Sequence, residues 1–355
     1  MAVMIALDMM GGDNRPDCNL EGALDALKKD PEICVSMVGP EDIIASRIAE
    51  WNEGIRSRIR IVHAPEVITP EEAPVMAVRR KKDSSLSVGA RMIRDGEAAA
   101  FISAGSTGAV LAAGQLIAGR LPGVLRPPLA TMVPTKKGPR LFLDLGANVD
   151  AKPEWLCQFA QMGSLYMEKV QNYERPVVKL VNLGTEEEKG NALVKAVHPM
   201  LKEMESINYQ GFIESRDVIM GEADVIVADA FTGNAILKTI EGTVEFTLSV
   251  LKEVFRSSLM TKLAAALVMK PLKRRMKAFS SSEHGGAMLL GLNGLVMKCH
   301  GNATRGDICN SILKCAEYAR KNVGSVIREA FEAAAKEEER PAAGETAKEE
   351  AEPAG

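Results

Sequence analysis

The sequence predicts an α/β protein built on a largely parallel sheet with helices on both faces. Three observations carry this. Short apolar runs alternate with helix-length segments along most of the 355 residues, the pattern of repeated βα units. Several runs are unbrokenly apolar, as in Val225-Ile226-Val227, which suits strands buried on both faces. Small-residue turns follow these runs, at the C-terminal strand ends where open α/β sheets bind ligands.

Val3 to Leu7 reads as the first strand, ended by Asp8 and turned by Gly11-Gly12-Asp13. A helix follows from Pro16 to Lys29, with proline early, where a helix tolerates it. Ile33 to Val38 and Ile59 to Val62 are strands, with a helix over Glu41 to Trp51 between them. Pro65 to Asp83 reads as irregular and carries the basic run Arg79 to Lys82. Ser84 or Ser85 then caps a helix reaching Arg94. Ala98 to Ile102 is a buried-type strand, followed by Ser103 to Gly108 and a small-residue helix to Ala118. Leu129 to Val133 and Leu141 to Leu145 are strands, and the second runs into Gly146-Ala147-Asn148. Trp155 to Val170 is a helix, Val177 to Val181 a strand and Asn191 to Met204 a helix.

The stretch Asp224 to Gly242 concentrates these features. A short strand ends at Asp229, Ala230 to Asn234 turn the chain, and a helix opens at Ala235, with Thr232 or Asn234 as its cap. Such a turn presents backbone donors to an anion; it is equally the form of an ordinary capped βα turn. Helical pattern continues to Arg256, is interrupted at Ser257-Ser258, and resumes as the nearly all-apolar Leu259 to Met269. Bases follow at Lys270, Lys273, Arg274, Arg275 and Lys277. A loop through Gly286, a strand-like Leu289 to Lys298 and a last helix from Asp307 to Ala335 complete the order. The reading is a single domain over residues 1–335, with a helical apolar-basic protrusion near 245–280 and a disordered acidic tail over 336–355.

Composition narrows the partners. Aromatic residues make up 4% of the chain, too few for a base-stacking surface. The net charge of −3 comes from the tail and leaves the body near neutral, so no global field selects nucleic acid. Six dispersed cysteines without a CxxC pair suit small buried side chains in a reducing compartment, and a cytoplasmic location is expected. The signatures of dinucleotide, P-loop, zincin, EF-hand and nucleophile-elbow sites are absent. No cofactor and no metal are expected. Instead, the turns at Gly11–Asp13, Ser103–Gly108, Gly146–Asn148 and Thr232–Asn234, with Lys298 and His300, suggest a cradle for a small oxyanion, phosphate among them.

Seven segments carry a wider likeness: DMMGGD (8–13), RRKKDSSL (79–86), SAGSTGA (103–109), LDLGAN (143–148), LGTEEEKGN (183–191), DAFTGNAILKTIEG (229–242) and GLNGLVMKCHG (291–301). In this order they resemble the bacterial acyl-acyl carrier protein:phosphate acyltransferase family, PlsX, from Val3 to Ala335. The chain departs from the family pattern at Met9, Ser106 and Asn302-Ala303. The resemblance implies a three-layer αβα fold like that of phosphotransacetylases and isocitrate dehydrogenases, and a homodimer. It implies conversion of acyl-acyl carrier protein (acyl-ACP) and inorganic phosphate to acyl phosphate and free carrier, for phospholipid synthesis.

On that reading phosphate is the nucleophile, and the site aligns it with a thioester carbonyl and stabilises the oxyanion. Lys298, His300 and Asn234 are the catalytic candidates; His300 either protonates the leaving thiolate or orients phosphate. Gly11, Gly12, Asp13, Ser103, Gly105, Ser106, Thr107, Gly108, Asn148, Thr232, Gly233 and Asn293 are candidate phosphate or acyl contacts. Asp8, Asp144 and Asp229 are strand-end carboxylates that hold donors in place, since a carboxylate facing phosphate repels it. Leu263, Leu267, Met269 and the bases after them suit an anionic membrane surface, the acidic carrier or a core or dimer-interface helix. Rival readings are an acyl-CoA phosphate acetyl- or butyryltransferase, a decarboxylating dehydrogenase and a non-enzymatic membrane scaffold.

Overall fold

A computed structural model describes residues 2–277 and 285–338. The strands are β1 Val3–Asp8, β2 Ile33–Gly39, β3 Ile59–His63, β4 Ala100–Ser103, β5 Leu129–Val133, β6 Arg140–Leu143, β7 Val177–Val181, β8 Asn208–Ile213, β9 Val225–Val227, β10 Ala287–Leu289 and β11 Leu295–Lys298. The helices are α1 Asp17–Lys29, α2 Glu41–Ile48, α3 Glu53–Arg56, α4 Pro74–Arg80, α5 Ser85–Arg94, α6 Thr107–Ala113, α7 Pro153–Lys169, α8 Ala192–Glu203, α9 Ala230–Arg256, α10 Leu259–Lys277, α11 Arg305–Arg320 and α12 Val323–Glu338.

Among the described residues, eleven strands join one sheet in the order β3-β2-β1-β4-β11-β10-β5-β6-β9-β7-β8. β3, β2, β1, β4 and β11 run parallel as one block, and β6, β9, β7 and β8 as another. Between the blocks, β10 is antiparallel to β11 and to β5, and β5 is antiparallel to β6. The two blocks therefore point in opposite directions, and their C-terminal ends lie at opposite edges of the sheet.

Alternation along each strand sends side chains to two cores. Ile5, Leu7 and Met37 face the layer of α1, α7, α8 and α11, with Leu27, Phe159, Leu201 and Ile312 at its centre. Ala6, Val38 and Phe101 face α5, α6 and α9 through Leu86, Val110 and Ile236. The result is a three-layer αβα fold, as expected.

Several elements differ from the sequence reading. The run Leu289 to Lys298 is a β-hairpin and not one strand. Gly291 at its turn has φ 82°, and a Cβ there would lie 2.9 Å from Val124. The last helix divides at Lys321-Asn322, where Asn322 has φ 53°. Helix α4 occupies part of the stretch read as irregular. Beyond Gly242, α9 leaves the sheet and pairs with α10 as an arm on which Phe246, Val254, Leu259, Leu263 and Leu267 are exposed. Among the described residues, no helix is long and apolar enough to cross a membrane. The expected acidic tail lies outside the described residues from Glu339 onward, as does most of the loop before Gly286.

Candidate active site

The bends after β1 and β4 are laced together by one buried carboxylate. Asp8 accepts the Met10 N–H at 3.0 Å and the Ser103 hydroxyl at 2.7 Å. Ser103 Oγ in turn accepts the Gly105 N–H at 3.0 Å. The Asn19 amide donates to the carbonyls of Asp8, Met9 and Gly11 from the other side. Gly11 must lack a side chain, because a Cβ would sit 2.7 Å from both Asp8 Oδ2 and the Gly105 nitrogen. Burial raises the Asp8 pKa above 3.8 against the pull of these donors.

These bends wall a cavity of about 260 Å³ in which charged, polar and apolar residues all stand. The carboxylates Asp8 and Asp13 line it with Gly11, Gly12, Gly105, Ser106 and Thr107, and Arg15 and Lys298 bring positive charge to it. Asp13 also donates its N–H to the Gly301 carbonyl at 2.8 Å. Ser106 Oγ caps α6 by accepting the Ala109 N–H at 3.3 Å. Gly108 has a packing role, since a Cβ there would meet Pro74 of α4 at 2.8 Å.

The bends after β6 and β9 form a second group. Asp144 is fully buried and accepts the N–H groups of Leu129, Gly146, Ala147 and Asn148 at 2.9–3.1 Å. It also takes the Asn148 side-chain amide at 2.7 Å, whose other bond goes to the Pro127 carbonyl. The Gly146–Asn148 donors are thus spent on the protein itself, which removes Asn148 as an anion contact. Helix α9 starts at Ala230, five residues before the expected Ala235, and neither Thr232 nor Asn234 caps it. The cap is Asp229, which accepts the Thr232 N–H at 3.0 Å and its hydroxyl at 2.7 Å. Gly233 admits the close approach of α9 to β6: a Cβ there would stand 2.0 Å from the Asp144 carbonyl oxygen.

Asn234 opens into a second cavity of about 410 Å³ between α9 and β5. Its walls are chiefly apolar and include Leu129, Val133, Leu237, Ile240 and Val244. Lys298 and His300 also line it. Thr107 and Lys298 belong to the walls of both cavities, so the two spaces meet there. His300 is half-exposed, with Nε2 3.7 Å from Glu241 Oε1. Lys238 donates to the same carboxylate at 2.6 Å. Burial lowers the pKa of Lys298 below 10.5 and that of His300 below 6.5; Glu241 partly offsets the effect on the imidazole. Burial pushes the neighbouring Cys299 thiol up to about 11, so it offers little thiolate.

The structure therefore brings together the first two bends, Asn234, Lys298 and His300. Asp144, Asp229, Thr232 and Gly233 support the second bend from behind. Asn293 is elsewhere. It sits in the β10–β11 turn, at the other end of β11 from Lys298, bonded to the Arg120 carbonyl and to Arg328. Leu263 and Leu267 are exposed on α10 with Lys270, and Met269 is half-buried. The side chains of Lys273, Arg274 and Arg275 lie outside the described residues. Sequence reasoning missed Arg15, Lys238 and Glu241. Glu241 follows Asn234 by seven residues, two helical turns, and this spacing was a readable sign that both share one face.

Comparison with known proteins places the chain in a family. A family model described as "Fatty acid synthesis protein" matches residues 3–326. A protein of Brevibacillus brevis named phosphate acyltransferase is 47% identical over 329 residues, covering 92% of this chain and 97% of that protein. A Bacillus cereus protein of the same name is 45% identical over 329 residues, covering 92% and 98%. Among solved structures, the EutD phosphotransacetylase from Staphylococcus aureus superposes with TM-score 0.57 at 17% identity, covering 90% of this chain and 94% of that one. A branched-chain phosphotransacylase from Enterococcus faecalis gives TM-score 0.56 at 14% identity, covering 90% and 99%. These two likenesses concern the fold. By the family match and by identity along nearly its whole folded length, the chain belongs to the fatty acid synthesis protein family that contains the bacterial phosphate acyltransferases.

Proposed function

We propose that this chain transfers an acyl group from an acyl carrier protein to inorganic phosphate, releasing acyl phosphate and the free carrier thiol. The observation that carries this reading is the pair of cavities joined at Thr107 and Lys298. Phosphate takes the smaller space between Arg15 and Lys298, and the thioester carbonyl lies at the junction. A phosphate oxygen attacks that carbonyl, the C–S bond breaks, and the carrier leaves as thiolate. Lys298 stabilises the oxyanion and is placed to give the thiolate its proton. Asn234 supplies a further donor from the first turn of α9.

The burial that lowers the His300 pKa favours the second of its two candidate roles. A ring that is neutral at pH 7 orients phosphate or accepts its proton, and holds no second proton to give away. His300 is therefore deprotonated, and competent as a base, above a pKa lying below 6.5. Activity then falls on acidification through a value below 6.5. This acid limb is expected to be lost in His300→Gln, compared with the unaltered chain at each pH so that the titration of phosphate cancels.

The thiol carrier is tested by following acyl phosphate formation from acyl-ACP and from acyl-CoA side by side. Preference for acyl-ACP supports the reading, and equal or better use of acyl-CoA overturns that part of it. Homodimer formation and peripheral attachment to a membrane belong to the same proposal. The arm of α9 and α10 supports attachment: Leu263 is 67% and Leu267 81% exposed, and Lys262 and Lys270 are beside them. Each base near an anionic surface contributes ~1 kcal/mol. The Leu263→Glu, Leu267→Glu variant is expected to stop floating with anionic liposomes, and unchanged flotation would remove this role for the arm.

A further inference from the structure

We infer that the apolar cavity between α9 and β5 receives the acyl chain of the substrate and sets the chain length accepted. The inference rests on the acyl transfer to phosphate proposed above and adds the place where the chain lies. Eight residues of α9 line this cavity, and the apolar ones among them are Leu237, Ile240, Val244 and Leu248. Their spacing of three and four residues keeps them on one stripe, which spans ~16 Å along the helix. Thr131 and Val133 of β5 form the opposite wall. With a volume of about 410 Å³ the space far exceeds what an acetyl group needs.

Position as well as polarity identifies the occupant. The cavity shares Lys298 and Thr107 with the smaller space, so a chain held in it has its carboxyl-derived carbon delivered to the junction. An apolar chain in a long apolar slot gains affinity with each methylene removed from water. The slot also discriminates, because a methylene beyond its end has no surface to bury against. The protein's own side chains leave this stripe of α9 unfilled, although the helix packs tightly at Gly233 and Ile236 just before it.

The test replaces Leu237 and, separately, half-buried Val244 by tryptophan. Acyl phosphate formation is measured with acyl-ACPs from four to eighteen carbons. In at least one variant, the ratio of kcat/KM for the longest chains to that for the shortest is expected to fall roughly 30-fold or more, with KM for phosphate unchanged. Val244 is half-exposed, so its variant tests the idea even where Leu237→Trp fails to fold. If both folded variants keep the parental chain-length profile, the cavity is not the acyl site, while acyl phosphate formation by the unaltered chain still supports the reaction. If the unaltered chain forms no acyl phosphate from any acyl-ACP, the reaction and this inference fail together.

Discussion

Replacing Lys298 by methionine is expected to lower kcat/KM for acyl phosphate formation about 10³-fold, the scale for loss of a preorganised charge at a developing oxyanion. The size of the effect follows from position. Lys298 ends β11, next to Ser103 in the register with β4; it lines both cavities, and its ammonium donates to the Cys299 carbonyl. Without it, phosphate loses one of its two positive neighbours and the carbonyl oxygen loses its cation. The same burial that lowers its pKa means that the charge carries a desolvation cost in the folded state. Methionine keeps the volume and removes that cost, so thermal stability is expected to stay within ~3 °C or rise. Loss of activity with the fold intact separates a catalytic lysine from a structural one. A variant retaining more than about a tenth of the parental kcat/KM would remove Lys298 from the chemistry.

The second large effect is on stability. Asp144→Ala is expected to destabilise the protein by about 4 kcal/mol, because the N–H groups of Leu129, Gly146, Ala147 and Asn148 all lose their acceptor in a buried place. The loss reaches the site through geometry. Asp144 fixes the bend against which α9 packs at Gly233, and α9 carries Asn234 and Glu241. Chemical denaturation of the variant gives the number directly. A loss below about 1 kcal/mol would show that water replaces the carboxylate as acceptor.

Where the chain's chemistry was local, its sequence was legible. Apolar runs such as Val3 to Leu7 and Val225 to Val227 became strands, and the bends Gly11–Asp13 and Ser103–Thr107 meet at one cavity. Three features were hidden for physical reasons. Strand β8 is half-buried and polar along Asn208 to Gln210, so it shows no apolar run. The β10–β11 hairpin hid inside a continuous apolar stretch, since antiparallel return depends on the glycines at 291 and 294 and not on hydrophobicity. That return carries Asn293 away from Lys298, although the two are neighbours in sequence. The start of α9 was misjudged because Asp229 was read as the end of a strand, when its carboxylate also serves as the cap. The apolar cavity could not be read at all: its two walls lie about a hundred residues apart in the chain and meet only through the sheet order.

The central claim is that phosphate and the acyl thioester occupy adjoining spaces together and react directly. Initial rates measured while acyl-ACP and phosphate are both varied test this most directly. Direct transfer within a ternary complex predicts reciprocal plots that intersect. Parallel lines, accompanied by a protein that gains the mass of one acyl group when phosphate is left out, would mean a covalent acyl-enzyme and contradict the account.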